Sequence, residues 1–172
     1  MFDIQKFARD YQDIAFRGRN RLSGNFGRLY ISGVMIFELS AFECKVTADR
    51  DDVIIGQSKD SKIVSLTGEG SFTIKQVFTR GFDKLLENYK EGYDERFVFV
   101  GKIKDPDAYR HGEERIRIEN VWVNELDIMH FSKGEVIEKE IPFGFTPEDL
   151  HFENSIEILG ESVVHESGGM TW

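Results

Sequence analysis

Between Phe42 and Phe78 the chain alternates apolar and polar residues in two long runs. In the first, Phe42, Cys44, Val46 and Ala48 share one parity, while Glu43, Lys45, Thr47 and Asp49 take the other. In the second, Val64, Leu66, Gly68, Gly70, Phe72 and Ile74 alternate with Ser65, Thr67, Glu69, Ser71, Thr73 and Lys75. A period of two sends successive side chains to opposite faces, so each run predicts a strand with one buried and one polar face. The polar, irregular stretch from Arg50 to Ser61 reads as the connection that joins them into a long hairpin. Its shafts exceed the usual strand of about 5–6 residues. A shaft that long in a small domain either curls into a barrel or reaches out to a neighbour.

The rest of the chain predicts shorter elements around this hairpin. Ile4, Phe7, Tyr11 and Ile14 recur at helical spacing with acidic and basic residues between them, and the basic run Arg17 to Arg21 follows as a link suited to an acidic contact. From Gly27 the pattern becomes strand-like: Arg28 to Ile31, a Ser32–Gly33 turn, then Val34 to Leu39. After the long hairpin one helix interrupts, with Thr79 expected as N-cap, Phe82, Leu85, Leu86 and Tyr89 as its apolar stripe, and Gly92 as its stop. Arg96 to Ile103 reads as a strand apolar on both faces, and Asp105 to Gly112 as a turn-rich loop. Further strands are expected within Glu114 to Ile128, along Ile137, Ile141, Phe143 and Phe145 (opposed by Glu138 and Glu140), and within Asp149 to Ile158. The ending, Ser167-Gly168-Gly169-Met170, reads as a polar, mobile tail.

Composition narrows the classes. At 172 residues, with 15 Phe and only 3 Pro, the chain predicts a single packed β domain. A net charge of -9 argues against holding duplex DNA on a basic face, although an acidic surface suits DNA that passes without sticking. The single Cys44 lies on an apolar parity, so an inert buried thiol is expected rather than a nucleophile, and a reducing compartment fits. No signal-like or membrane-spanning run is apparent, and synthesis in the cytoplasm is expected. His111, His130, His151 and His165 stand apart with no metal-ligand spacing. Asp49, Asp51 and Asp52 lack the pattern of a calcium loop and read as a solvated strand end, while Asp105 and Asp107 read as turn residues. Gly68-Glu69-Gly70 lies in a strand pattern without the following helix of a phosphate loop, so it marks a bend, a bulge or a close backbone approach. No catalytic, cofactor or metal site is predicted.

The run Gly134-Glu135-Val136-Ile137-Glu138-Lys139-Glu140-Ile141-Pro142-Phe143-Gly144-Phe145, followed by Glu148-Asp149-Leu150, resembles the C-terminal signature of PBSX-type tail tube proteins of contractile tails. These occur in phages, defective prophages and phage-tail-like bacteriocins. In the same order, Ser23-Gly24-Asn25-Phe26-Gly27-Arg28-Leu29-Tyr30 is similar to the family's opening strand. Gly68-Glu69-Gly70-Ser71-Phe72-Thr73 with Lys75-Gln76-Val77 is similar to its second long strand, and the helix from Phe82 to Gly92 falls at the matching point. The resemblance covers Ser23 to Ile156 and rests on the order of several matches, since no one motif is invariant. Residues 1–22 and the tail after Ile158 extend past the pattern, so no family role carries over to them.

What the resemblance implies is a structural protein whose subunits form hexameric rings, stacked into a hollow cylinder inside a contractile sheath. Each subunit would contribute strands to one ring-shaped barrel lining the channel. The expected fold is thus mainly β, a sandwich or half-barrel with a long hairpin and one flanking α-helix. Three segments follow: an arm or helix at 1–22, a β domain at 23–158 and a tail at 159–172. Glu43, Lys45, Thr47, Thr67, Glu69, Ser71 and Thr73 are expected to face the lumen, as the polar side of a large barrel faces water. Val53, Ile54, Ile55, Gly56, Gln57, Ser58, Lys59 and Asp60 are expected to make ring-to-ring contacts, because three consecutive apolar residues near a loop tip ask for a partner. The implied partners are further copies of the chain and sheath, tape-measure and baseplate proteins, with DNA at most in passage and no membrane. Assembly in the bacterial cytoplasm and residence in the tail of a phage or tail-like particle are implied as well. Two alternatives stand beside this: the tube of another contractile injection system, and a small-ligand-binding or enzymatic barrel with a pocket in its Phe-rich interior.

Overall fold

The long hairpin is present, and it is longer than its alternation suggests. Strands β3 (Leu39–Ile55) and β4 (Ser58–Lys75) pair antiparallel from Leu39↔Ile74 out to Ile55↔Ser58. The stretch from Arg50 to Ser61 is therefore not an irregular connection but the outer part of the same ladder, closed by a two-residue turn at Gly56–Gln57. Gly56 takes φ 63 at the first turn position, the conformation of a type II′ turn, whose twist matches that of its strands. Two features hide this from the sequence. Charged residues occupy both faces of the outer ladder, and Val64 is an extra residue between the pairs Asp49↔Ser65 and Arg50↔Ile63. That bulge resets the parity of one strand relative to the other.

The computed structural model describes residues 17–107 and 112–156. The expected helix carrying Ile4, Phe7, Tyr11 and Ile14, and the glycine-rich ending, lie outside the described residues. Two short 3-10 turns, Gly18–Asn20 and Gly24–Phe26, lead into β1 (Gly27–Ile31). Strand β2 is only Val34–Met35, not Val34 to Leu39, and it joins β1 across Ser32 and Gly33, both at positive φ. Helix α1 (Phe82–Lys90) follows β4, then β5 (Phe97–Ile103), β6 (Glu114–Val123), β7 (Glu138–Phe145) and β8 (Leu150–Asn154).

All strand pairs are antiparallel, in the order β2-β1-β5-β6-β7-β4-β3, with β8 also on β6. Strand β6 serves two layers: its first half pairs with β5 and β8, while Trp122 and Val123 pair with β7. The change of direction comes at a bulge, where the register steps from Phe99↔Ile118 to Phe97↔Val121. Asn120 sits in that bulge at φ 53, a left-handed conformation that asparagine tolerates better than most residues, and its amide donates to Asp149 at 3.2 Å. The result is a half-barrel whose core is Leu29, Phe72, Ile74, Phe99, Ile118, Val121, Ile141, Phe143 and Phe145. Phe143 is its centre, edge-on to Phe99 at 4.9 Å and stacked with Phe42 at 5.9 Å between ring centroids.

Of the bend, bulge or close backbone approach expected at Gly68 and Gly70, the structure has the close approach. A Cβ on Gly68 would lie 2.6 Å from the Phe145 ring, and one on Gly70 would lie 2.5 Å from Cζ of Phe143 and overlap the carbonyl of Glu43. Helix α1 starts differently from expectation. Gly81, at φ 80, is its cap instead of Thr79, and the Thr79 carbonyl accepts from the Phe82 amide. Gly92 ends it at φ 84, as expected. Leu85 is buried, and the Tyr89 hydroxyl donates to the Val123 carbonyl at 3.1 Å, so the helix covers the end of β6.

Candidate functional site

Three surfaces meet on the hairpin: a polar face, a projecting tip and an apolar base. The register gathers all seven expected channel residues onto one face. Glu43 lies across from Ser71, Lys45 from Glu69, Thr47 from Thr67, and Thr73 from Ala41. Strand β7 extends this face with Glu140 opposite Thr73 and Pro142 opposite Ser71. The alternation of Glu138 and Glu140 signalled a polar side on β7, but nothing in the sequence says that it adjoins the hairpin. Lys45 Nζ lies 3.2 Å from Glu69, and Lys75 lies 3.8 Å from Glu138, both as half-exposed pairs worth little stability. Strand β3 closes the sheet on this side: among the described residues its outer edge pairs with no strand.

The opposite face was expected to be buried along its whole length, and it is not. Phe42 and Cys44 are half-buried, but Val46 and Leu66 are 45% and 48% exposed, and past them both faces of the hairpin are open. The outer hairpin is thus an arm that leaves the domain. At its end Val53, Ile54 and Ile55 are 43%, 79% and 61% exposed. They are strand residues, not loop residues, and Asp52 pairs with Lys59 beneath them. The expected contact set from Val53 to Asp60 is therefore one continuous tip. Asp49 accepts from the Ser65 hydroxyl at 2.8 Å, which accounts for part of the acidic cluster as arm structure.

The other end of the same strands carries an apolar surface that sequence reasoning did not identify. Phe37, Val77 and Phe78 are widely exposed there, and so are Ile128, Met129, Phe131 and Val136 in the nearby segment between β6 and β7. Glu38 and Arg80 form a double hydrogen bond behind Phe78, which holds the Glu38 carboxyl below its ordinary pKa. Lys139, on the apolar parity of β7, is buried and gives its ammonium to the carbonyls of Asp127 and Ile128, each at 2.8 Å. It straps that segment to the sheet. Asp105 is also buried, accepting from the amides of Ser23 and Asp107, so it anchors the chain ahead of β1 as well as shaping its own turn.

Other chemistry is accounted for by structure. Burial pushes the half-buried Cys44 thiol up to about 11, so little thiolate forms near neutral pH. His130 and His151 are exposed, while His111 and His165 lie outside the described residues. No cluster of metal-ligating side chains occurs among the described residues. A cavity of about 430 Å³ lies between α1, β1 and β5, lined by Ile31, Val34, Ile36, Phe82, Leu85 and Phe97 among others. Of its charged members, Arg80 is engaged with Glu38, Glu95 with Asn88 and Arg96 with Asp94, which among the described residues leaves Lys84 alone. A ligand site needs a few polar groups free to fix orientation.

The sequence profile described as "Phage tail tube protein" matches residues 14–151. The chain belongs to that family. Two proteins of Bacillus subtilis (strain 168), the phage-like element PBSX protein XkdM and the uncharacterized protein YqbM, are each 26% identical over 140 residues, 80% of this chain and 95% of the relative. Among solved structures, the sheath/tube terminator of an extracellular contractile injection system, PVC, superposes with a TM-score of 0.62 at 9% identity, over 77% of this chain and 96% of the other. The sheath-tube complex of the same system gives 0.61 at 8% identity, over 84% and 97%. At those identities the likeness establishes a shared fold. As a tail tube protein the chain is a structural component of a tail. No helix among the described residues is long and apolar enough to cross a membrane.

Proposed function

We propose that this tail tube subunit closes into hexameric rings that stack as the inner tube of a contractile tail. The observation that carries this is the hairpin itself, polar along one face and, among the described residues, unpaired along the β3 edge. A long open edge is a hazard in a monomer and a joint in a ring. Neighbours pairing along it turn seven-residue patches (Glu43, Lys45, Thr47, Thr67, Glu69, Ser71 and Thr73) into a wet channel wall, with Glu140 added from β7. The tip from Val53 to Asp60 makes the contact between successive rings. DNA, where the particle carries it, passes an acid-rich wall that does not hold it. The sheath surrounds the tube, tape-measure and baseplate proteins set its length and start, and assembly precedes release from the bacterial cytoplasm.

The test is negative-stain electron microscopy across protein concentrations, with sedimentation to catch small species. Hollow stacked tubes are expected; a monomer that stays dispersed even with its baseplate present would overturn the reading. For the channel face, a thiol label at Glu69→Cys should be blocked in end-capped tubes and react in free subunits. Full labelling from outside capped tubes would remove Glu69 from the wall.

A further inference from the structure

At the tip of the arm β3 puts apolar side chains on both faces, each beside a polar or charged residue of β4. Ile54 lies on the core side, across from Lys59, while Val53 and Ile55 lie on the polar side, across from Asp60 and Ser58. Exposed apolar side chains gathered at a tip mark an interaction site and call for an apolar partner surface. At the opposite end of the same two strands lies a cleft of about 570 Å³, lined by Phe37, Val77, Phe78, Leu39, Ser40 and Lys75 together with Glu38. Its aromatic and aliphatic walls are exposed by 76% at Phe37, 67% at Val77 and 60% at Phe78.

The cleft is built, not loose. The Lys75 amide donates to the Glu38 carbonyl at 2.9 Å, tying its two rims together. Arg80, held by Glu38, places its guanidinium 5.5 Å from the centre of the Phe78 ring. Two charges at each end are already paired: Asp52 with Lys59 under the tip, and Lys75 with Glu138 beside the cleft. Tip and cleft cannot meet within one subunit, because the 17 residues of β3 hold them about 50 Å apart. A second copy displaced along the hairpin axis can bring them together, and the same step can repeat at every level. That is the geometry of a heterologous, open-ended contact.

We infer that the Val53–Ile55 tip of one subunit inserts between Phe37, Val77 and Phe78 of a copy in the next ring. This rests on the stacked-ring reading above and names the acceptor that it left open. The occupant is a second copy of this chain.

The test is site-directed cross-linking of full-length protein in a Cys44→Ala background with a short bismaleimide. Ile54→Cys combined with Phe78→Cys should give a ladder of covalent oligomers from assembled tubes. Ile54→Cys alone, and Ile54→Cys with Phe152→Cys on the exposed β8, should give none. Tubes that form without the ladder, or a dimer from Ile54→Cys alone, would overturn the inference and leave the tube reading standing. A ladder from soluble oligomers that never form tubes would support the contact and overturn the tube reading; neither tubes nor ladder would overturn both. A second measurement does not depend on cysteine chemistry. Val77→Asp and Ile54→Asp each spoil one end, so each alone should stop at single rings, and their mixture should give paired rings but no tubes. Full-length tubes from either variant would exclude the cleft.

Discussion

Gly70 shows how tightly the hairpin is pressed onto the sheet behind it. Its missing Cβ makes room for the Phe143 ring and for the Glu43 carbonyl on the neighbouring strand. Neither can yield cheaply, since one is backbone and the other is the centre of the core. Gly70→Ala should therefore destabilise the subunit by about 1–3 kcal/mol, the usual range for overpacking. Gly18→Ala, with nothing within 4 Å of the new methyl, serves as the control and should change stability by about 0.5 kcal/mol at most. Urea midpoints of the two variants check this, and equal midpoints would mean that the close approach is not maintained in solution. The glycines announced a close approach from their place in an alternating strand. Which ring filled the space was not legible, because Phe143 and Phe145 lie some seventy positions further along and reach β4 only through the β4–β7 pairing.

At the level of elements, the hairpin divides into two parts with different stability. Its inner half packs against the core through Phe42, Phe72 and Ile74, whereas its outer half has both faces in water. Among the described residues nothing covers this two-stranded ribbon, and such a ribbon is marginal on its own. In free subunits the amides from Arg50 to Lys62 should exchange much faster than those from Glu69 to Ile74, and assembly should slow them. Deleting Gln57 to Asp60 should leave the core transition intact while abolishing polymerisation, read by thermal melting and sedimentation together; normal tubes from that deletion would show that the tip makes no essential contact. Helix α1 gives the contrasting case. Local rules favour Thr79 as the cap, but Arg80 at φ 55 and Gly81 at φ 80 turn the chain before the helix begins. Arg80 is held there by Glu38, far away in sequence, so a tertiary ion pair overrides the local preference.

For the whole molecule, the question is what a single chain leaves unfinished. Among the described residues, an unpaired β3 edge, an open arm and an apolar base are three incomplete surfaces on a domain whose core is otherwise closed. On the proposed reading each is completed by a further copy, which suits a protein that folds before it assembles. The segment at 1–22 belongs to this scale. With Ile4, Phe7, Tyr11 and Ile14 at helical spacing ahead of a basic link, it is suited to brace an acidic neighbour. Removing residues 1–22 should weaken assembly more than subunit stability, seen as a higher concentration threshold for tubes with a nearly unchanged melting temperature. Unchanged assembly would leave it as a helix of its own subunit.

Local alternation and turn residues alone determined that this protein is a β domain with one helix and a dominant hairpin, because those signals are carried by neighbours in the chain. The polar parity of the hairpin was equally plain, and the register left it on one face. The order of several matches, from Ser23 to Ile156, was enough to point to the family. What only the tertiary structure decided depends on partners distant in sequence. Whether Val46 and Leu66 are core or surface depends on where the second layer stops, which alternation cannot express. Lys139 on an apolar parity is tolerable only because the Asp127 and Ile128 carbonyls fold back onto it. The base cleft exists only because the two ends of a hairpin, residues 37–40 and 75–78, are brought side by side by the strand pairing between them.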